Sequence, residues 1–254
     1  MVDISYHRKD RDGIPVFSAN ELENIGDALI KDFCPEVISK PREVDIEVFS
    51  EFYMGFKQDF QYLSHCGFIL GMMVYENTDF IPVCDPQFRG AEFVHADKDT
   101  IIIDKSLLYP QKQHRYRFTL AHEAAGHGVL HRNLFNQKNA HNETILYGHD
   151  WLQCTDKVVA PTKNALKPAT PVAWMEWQAN ILASAVLMPR LSIEKALKNC
   201  RNCRLWDVND AYDIVVYISQ LFNVSRQAAL IRLQKLGYID SKMIKLLAVM
   251  FSIF

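Results

Sequence analysis

The segment Phe118–His131 reads FTLAHEAAGHGVLH, an apolar helix-forming run that carries three histidines and one glutamate. Helices that are apolar on most faces are buried, and buried polar side chains need partners. His122, Glu123 and His127 therefore predict a polar site inside the protein. The pattern approaches H-E-x-x-H, in which two histidines on one helical face bind zinc and the glutamate acts as a base. Here one additional residue separates Glu123 from His127.

The additional residue matters because each residue of an α-helix turns the chain by about 100°. Positions i and i+4 then lie roughly 40° apart, whereas i and i+5 lie roughly 140° apart. A one-residue π-bulge at Ala124–Gly126 would restore a shared face. We favour it because such bulges often occur at functional sites and glycine eases the distortion. Two alternatives stay open: a broken site that keeps only the fold, or a shifted register that pairs Glu123 with His127 or His127 with His131.

Three parts of the chain resemble the ImmA/IrrE family of zinc-dependent metallopeptidases. They cover most of the chain from about residue 41 to residue 239, and the first two motifs together are specific. The family pattern itself has H-E-x-x-H, so the spacing is a departure. The matching segments are Arg117–Glu123 (RFTLAHE), Glu176–Ala183 (EWQANILA) followed by Leu187–Pro189 (LMP), and, more weakly, Leu221–Ser225 (LFNVS) with Ala228–Leu236.

The resemblance implies a zinc ion held by His122, His127 and Glu176, with Glu123 as the catalytic base. It also implies a protein substrate, often a helix-turn-helix repressor, and a role in transcription regulation during stress response or in mobile-element control. Two histidines and one carboxylate, with one position left for water, are typical of catalytic zinc sites.

The residues around Glu176 agree with a ligand role. Pro171 can begin a helix and Pro189 can end one, and the residues between them are apolar on nearly every face. A buried carboxylate on such a helix needs a cation or a hydrogen-bond donor. The alternative is that Glu176 lies at the exposed end of the helix. Asn180, one turn later, is either a partner of the site or a packing amide.

Composition places the chain among ordinary globular proteins. It has 254 residues, 49% of them hydrophobic, and a formal net charge of −2, which gives no electrostatic reason to expect nucleic acid as the main partner. The first residues lack the apolar core of a signal peptide, and no run approaches the ~18 apolar residues that span a bilayer. We therefore expect a cytoplasmic protein without membrane contact, in which the six cysteines are reduced thiols.

Periodicity predicts an α+β fold with a small sheet that leads into the His122 helix, plus a C-terminal helical segment. This order suits the zincin-like metallopeptidase domain with active-site helices that the resemblance implies. Helices are expected at residues 18–33, 45–52 and 171–188, and in a helix-turn-helix-like pair at 210–238. Strands are expected at residues 56–63, 68–75, 80–84 and 100–103. The predicted domains are an N-terminal helical segment (1–40), the metallopeptidase domain (41–204) and the C-terminal segment (205–254).

Three further features carry weaker expectations. Residues 133–170 look like a long loop between the two ligand helices, a candidate wall of a substrate cleft. His131 is either a partner of the site or a satisfied core histidine, and we favour the second. The apolar C-terminus must pack on the body of the protein, on a second copy or on a partner, so self-association is one expectation.

The leading functional hypothesis is a zinc metalloendopeptidase that hydrolyses a specific protein, such as a transcriptional repressor. The alternative is a catalytically impaired pseudo-peptidase that regulates a partner by binding it. A third hypothesis, DNA binding through residues 210–238, is weaker because a reading helix normally carries a denser basic face.

Overall fold

The protein is described by a computed structural model that covers residues 4, 8–10, 13–65, 67–84, 90–135, 151–155 (backbone only), 170–200 and 205–251. The strands are β1 (Lys57–Gln61), β2 (Ile69–Val74), β3 (Thr78–Cys84), β4 (Ala91–Ala96), β5 (Thr100–Asp104) and β6 (Trp151–Thr155). The main sheet has the strand order β1-β5-β2-β6, where β1 is parallel to β5 and the other neighbours are antiparallel. A separate antiparallel hairpin contains β3 and β4.

The helices follow the capping signals of the sequence. Ser18 and Glu21 form a capping box on the first long helix, and Thr170 caps the helix that begins at Pro171. The helices are α1 (Ala19–Phe33), α2 (Glu36–Ser39), α3 (Ile46–Val48, continued by a π-helix Phe49–Tyr53), α4 (Gln113–Ala121, continued by a π-helix His122–His127), α5 (Gly128–Leu130), α6 (Pro171–Leu187), α7 (Arg190–Asn199), α8 (Val208–Leu221), α9 (Arg226–Lys235) and α10 (Ser241–Met250).

The two faces of the sheet pack on different partners. Side chains alternate along a strand, so Ile101 and Ile103 of β5 belong to the large core under the helices, whereas Ile102 packs with Met72 and Val74 against the β3–β4 hairpin. The helical face is the one that meets the His122–His127 segment.

The predicted α+β class is confirmed, with small sheets and a helical C-terminal part. The expectation of a loop throughout residues 133–170 was wrong in one respect, because β6 lies within it and pairs with β2. The rest of that insert, apart from its first residues and Thr170, lies outside the described residues. Strand β4 was also missed. Cys200 is disulfide-bonded, against the expectation of reduced thiols, whereas Cys34 and Cys84 are free.

The C-terminal helices are attached to the rest of the protein by buried arginines. Arg232 of α9 binds the carboxylate of Glu23 on α1 and donates to the carbonyl of Met188 at 3.0 Å. Arg117 of α4 donates to the carbonyls of Asn223 and Val44 at 3.1 and 2.9 Å. The proposed domain boundaries stay a prediction.

Among the described helices, none alone is long and apolar enough to cross a bilayer. Helices α8 and α9 satisfy length and composition only as a pair, and they are bent by 111° relative to each other. That angle is typical of a helix-turn-helix pair.

Candidate metal centre

The histidine segment forms a π-helix from His122 to His127. The amide of Gly128 donates to the carbonyl of Glu123, five residues earlier, instead of the four that an α-helix uses. Residues i and i+5 consequently share a face, so both histidine side chains point the same way. The predicted bulge at Ala124–Gly126 is confirmed, and it absorbs the additional residue of the motif.

Helix α6 brings the third candidate ligand to the two histidines. It crosses the π-helix where small residues meet: a Cβ added to Gly126 would lie 2.5 Å from the Cβ of Ala179 and 2.7 Å from its Cα. Only glycine permits this approach. Because Ala179 lies almost one turn after Glu176 on α6, the contact fixes how close the Glu176 carboxylate comes to the histidine rings.

The three side chains converge on one point. His122 Nε2 lies 3.0 Å from His127 Nε2, and these atoms lie 3.2 and 3.3 Å from the two carboxylate oxygens of Glu176. A tetrahedral zinc with ligand distances of about 2.0 Å requires donor atoms about 3.3 Å apart. The separation of the two nitrogens is close to that requirement, although each nitrogen faces a different oxygen of Glu176. One donor atom from each side chain lies within 4.8 Å of the other two, and two imidazoles with one carboxylate are a donor set that zinc prefers.

The protonation of this group supports a cation at its centre. His122 Nδ1 lies 3.1 Å from Asn180 Oδ1, which makes Nδ1 the donor and leaves Nε2 for the centre. Two imidazole lone pairs facing each other at 3.0 Å, next to a carboxylate, repel unless a proton or a metal ion lies between them. Metal binding would release that proton. Asn180 is thus a partner of the site and not only a packing amide.

Glu123 lies beside the group and does not belong to it. Its carboxylate is fully buried, and neither oxygen has a hydrogen-bond partner among the residues that the structure describes. The side chain rests on strand β2, where a Cβ on Gly71 would come within 2.9 Å of Glu123 Oε1 and 2.6 Å of Thr119 Cγ2. The absence of a side chain at Gly71 therefore leaves the space that the Glu123 carboxylate occupies. An unpartnered buried carboxylate next to a candidate metal site suits a group that exchanges protons.

The two carboxylates of the site differ in acidity. Burial raises the pKa of Glu123 to about 8, with the charge of His122 opposing the shift and that of Glu176 adding to it. Burial also raises the pKa of Glu176, but the charges and hydrogen bonds of His122 and His127 outweigh burial and hold it well below its usual range. The environments of the two carboxylates therefore separate their pKa values in opposite directions.

Two further residues lie near the site. His131 is buried with both ring nitrogens in polar contacts, as expected of a satisfied core histidine, and the 2.9 Å between its Nδ1 and Nδ1 of His127 also fits the alternative of a partner of the site. The i, i+4 spacing of these histidines was the available signal. Tyr75 was not considered: its hydroxyl is buried without a hydrogen-bond partner, and burial, joined by the charges of Glu123 and Glu176, raises its pKa well above the usual value.

The structure also separates the open alternatives of the motif. His122, His127 and Glu176 lie together, whereas the ring of His131 lies behind His127, where its contact is with Nδ1. The arrangement is that of the bulge hypothesis. The roles of the four residues as ligands and base remain our proposal.

Comparison with known families gives a separate line of support. Residues 159–234 match the family model of the IrrE N-terminal-like domain, Peptidase_M78. The resemblance to the ImmA/IrrE family is confirmed. A search of curated proteins found no match for the chain.

The Peptidase_M78 match indicates a metallopeptidase-type function, and hence a hydrolase. The matched residues include Glu176 and Asn180 but begin after the π-helix. The match and the histidine pair are therefore independent observations: one comes from the sequence of α6 and the helices after it, the other from the geometry of residues 122–127.

Proposed function

We propose that this protein is a cytoplasmic zinc-dependent endopeptidase that hydrolyses a specific protein substrate. The observation that carries the proposal is the convergence of His122, His127 and Glu176 around one point, beside a buried Glu123 whose carboxylate has no partner among the described residues. The Peptidase_M78 match supports the same class of reaction.

The residues divide the chemistry between them. When bound, zinc supplies Lewis acidity, which acidifies water and polarises the scissile carbonyl. Glu123 accepts the proton of the attacking water and delivers it to the leaving amine. Glu176 stays ionised, and Asn180 keeps His122 Nε2 directed at the centre.

The substrate that we propose is a helix-turn-helix transcriptional repressor, cleaved during stress response. The resemblance to ImmA/IrrE peptidases supports this choice. Direct nucleic-acid binding is not part of the proposal, since Arg232 of the helix-turn-helix-like pair is buried and bound to Glu23. Self-association is a further proposal, supported by exposed apolar side chains on α10: Leu246, Val249 and Met250 are 49%, 78% and 47% exposed.

Replacing Glu123 by Gln tests the proposal. We expect Glu123→Gln to keep about one zinc ion per chain and to slow cleavage of a purified repressor by roughly 10²- to 10⁴-fold, the range that a positioned base contributes. Glu92→Gln, on the exposed face of β4, is the matched control and should cleave like wild type. Undiminished cleavage by Glu123→Gln would refute the role of Glu123 as the base.

The second candidate is a pseudo-peptidase that regulates a repressor by binding it. The full burial of Glu123 and His127, with no exposed surface for a substrate to contact, is the observation that favours it. This candidate predicts that the protein inactivates a repressor without producing fragments, and that Glu123→Gln has no effect on the inactivation. Mass spectrometry of the repressor after incubation separates the two candidates.

A further inference from the structure

A chain of three polar contacts runs from the candidate ligand His127 to the N-terminal segment. His127 Nδ1 lies 2.9 Å from His131 Nδ1, and His131 Nε2 lies 3.3 Å from Gln178 Oε1. The amide nitrogen of Gln178 donates to the carbonyl of Pro15 at 2.7 Å. His127, His131 and Gln178 are all fully buried, so none of these groups can exchange its partner for water without a cost.

The direction of every hydrogen bond follows from Pro15. A backbone carbonyl only accepts, so the nitrogen of Gln178 must face Pro15 and its oxygen must face His131. His131 Nε2 must then carry the proton. Within the described part of the chain, the ring of His131 has no carboxylate among its hydrogen-bond partners, and a buried imidazole without such a partner is neutral. Its Nδ1 therefore accepts.

The acceptor on His131 decides the tautomer of His127. Its Nδ1 must donate, which leaves the lone pair on Nε2, the atom that faces His122 and Glu176. Without the acceptor, a neutral imidazole could place its proton on Nε2 instead and could not bind a metal through that atom. The tautomer of His122 is fixed in the same way by a single contact, with Asn180 Oδ1 as the acceptor for Nδ1.

We propose that His131 and Gln178 are positioning residues that hold His127 in its metal-binding tautomer. The proposal rests on the proposed metal centre. It makes the backbone around Pro15 a functional part of that centre, since this carbonyl sets the orientation of the whole chain of contacts. Helix α6 then serves the site twice, through the carboxylate of Glu176 and through the amide of Gln178 two residues later.

The first test measures the tautomers directly in metal-free protein. Nitrogen-15-labelled histidine and long-range NMR correlations report which ring nitrogen carries the proton. We expect His127 to be protonated on Nδ1 and His131 on Nε2 in wild type. In Gln178→Met, where His131 loses its acceptor, we expect the Nε2-protonated tautomer of His127 to appear. Wild-type His127 protonated on Nε2 would overturn the proposal.

The second test measures zinc affinity by competition with a chelator. The substitution His131→Leu removes the acceptor for His127. In His131→Gln, the new side chain offers its oxygen to His127 and its amide nitrogen to Gln178. We therefore expect His131→Leu and Gln178→Met to bind zinc about 10- to 100-fold more weakly, the usual cost of losing a partner of a metal ligand. His131→Gln should stay within a few fold of wild type.

Leu247→Ala is the control for lost stability, since it opens a cavity in α10, a C-terminal helix that holds none of the candidate metal ligands. It should lower the melting temperature and leave zinc affinity and the His127 tautomer unchanged. Unchanged zinc affinity in both His131→Leu and Gln178→Met would also overturn the proposal. A wild-type protein that binds no zinc would instead overturn the proposed function, and the tautomer measurement would still decide the role of His131 and Gln178.

Discussion

Helix α6 runs for 17 residues as a regular helix, with Thr170 capping its start, whereas the π-helix His122–His127 lasts six residues and has no side-chain cap. Both supply ligands to one candidate centre. The regular helix needs only correct placement, but the π-helix must also change its hydrogen-bond register to bring two histidines onto one face. The i, i+4 spacing of two histidine ligands is therefore a requirement of the α-helix and not of the metal site.

The largest effect on zinc binding is expected when the length of the π-helix is changed by one residue. One more alanine after Ala125 exceeds what a single π-turn absorbs, so we expect zinc content to fall from about one ion per chain to near zero. Deleting Ala125 returns the histidines to i, i+4 spacing in an ordinary α-helix and should preserve zinc binding. Elemental analysis of the purified variants gives the answer; equal zinc in the insertion variant would show that the π-helix is not what aligns the ligands.

A smaller effect is expected where the two helices touch. In Gly126→Ala the new methyl group would overlap Ala179, including its backbone Cα, so the helices must separate. Overpacking of this kind costs about 1–3 kcal/mol of unfolding free energy, and zinc affinity should fall with it because Glu176 moves away from the histidines. Denaturant unfolding and chelator competition measure both.

Gly90→Ala is the matched control, since a Cβ at Gly90 meets nothing within 4 Å. It should leave both quantities unchanged. A Gly126→Ala protein as stable as this control, with wild-type zinc affinity, would mean that the helix contact does not set the spacing of the ligands.

The smallest expected effect is a change in the pH dependence of stability, caused by the Glu123 carboxylate. In metal-free protein the pKa of Glu123 is about 8, above the ordinary 4.5, so the folded state holds a proton that the unfolded state releases. Stability must therefore decline as pH rises from about 4.5 toward 8 and through it. Glu123→Gln cannot release that proton and should lack this decline.

The measurement is the unfolding free energy in the presence of a chelator between about pH 5.5 and pH 8.5. Burial lowers the pKa of His127 and His131, and these groups change stability in the opposite sense as pH falls below 6.5. They are present in both proteins, so the difference between wild type and Glu123→Gln isolates Glu123. A difference that does not vary with pH would mean that Glu123 is ionised throughout.

Much of the fold could be predicted because local signals dictate it. The Ser18 cap, Pro171 at a first helical turn and the Ser225 cap each mark an element that the structure contains. Strands β4 and β6 were not predicted because apolar and polar residues do not alternate regularly in them. In addition, β6 depends on pairing with β2. Such pairing is a long-range contact that periodicity does not report.

The candidate site shows the same division. The types of residue in HEAAGH and the apolar character of α6 were enough to propose the ligands. The room that Gly71 leaves for Glu123, and the line from His127 through His131 to Pro15, depend on side chains from distant parts of the chain. No spacing rule connects Pro15 with Gln178, so these features required the structure.

The buried Arg117 and Arg232 couple the unfolding of the C-terminal helices to that of the rest of the protein. Arg232 joins α9 to Glu23 near the start of the chain, and Arg117 joins α4 to the turn at Asn223. Detaching the C-terminal helices would leave the Glu23 carboxylate without Arg232 and the Arg117 guanidinium without the carbonyl of Asn223, at a cost of about 3–5 kcal/mol for a broken buried pair. Helices α8 and α9 should therefore exchange their amide hydrogens only when the helices around the metal centre also open, so that both ends of the chain unfold as one cooperative unit.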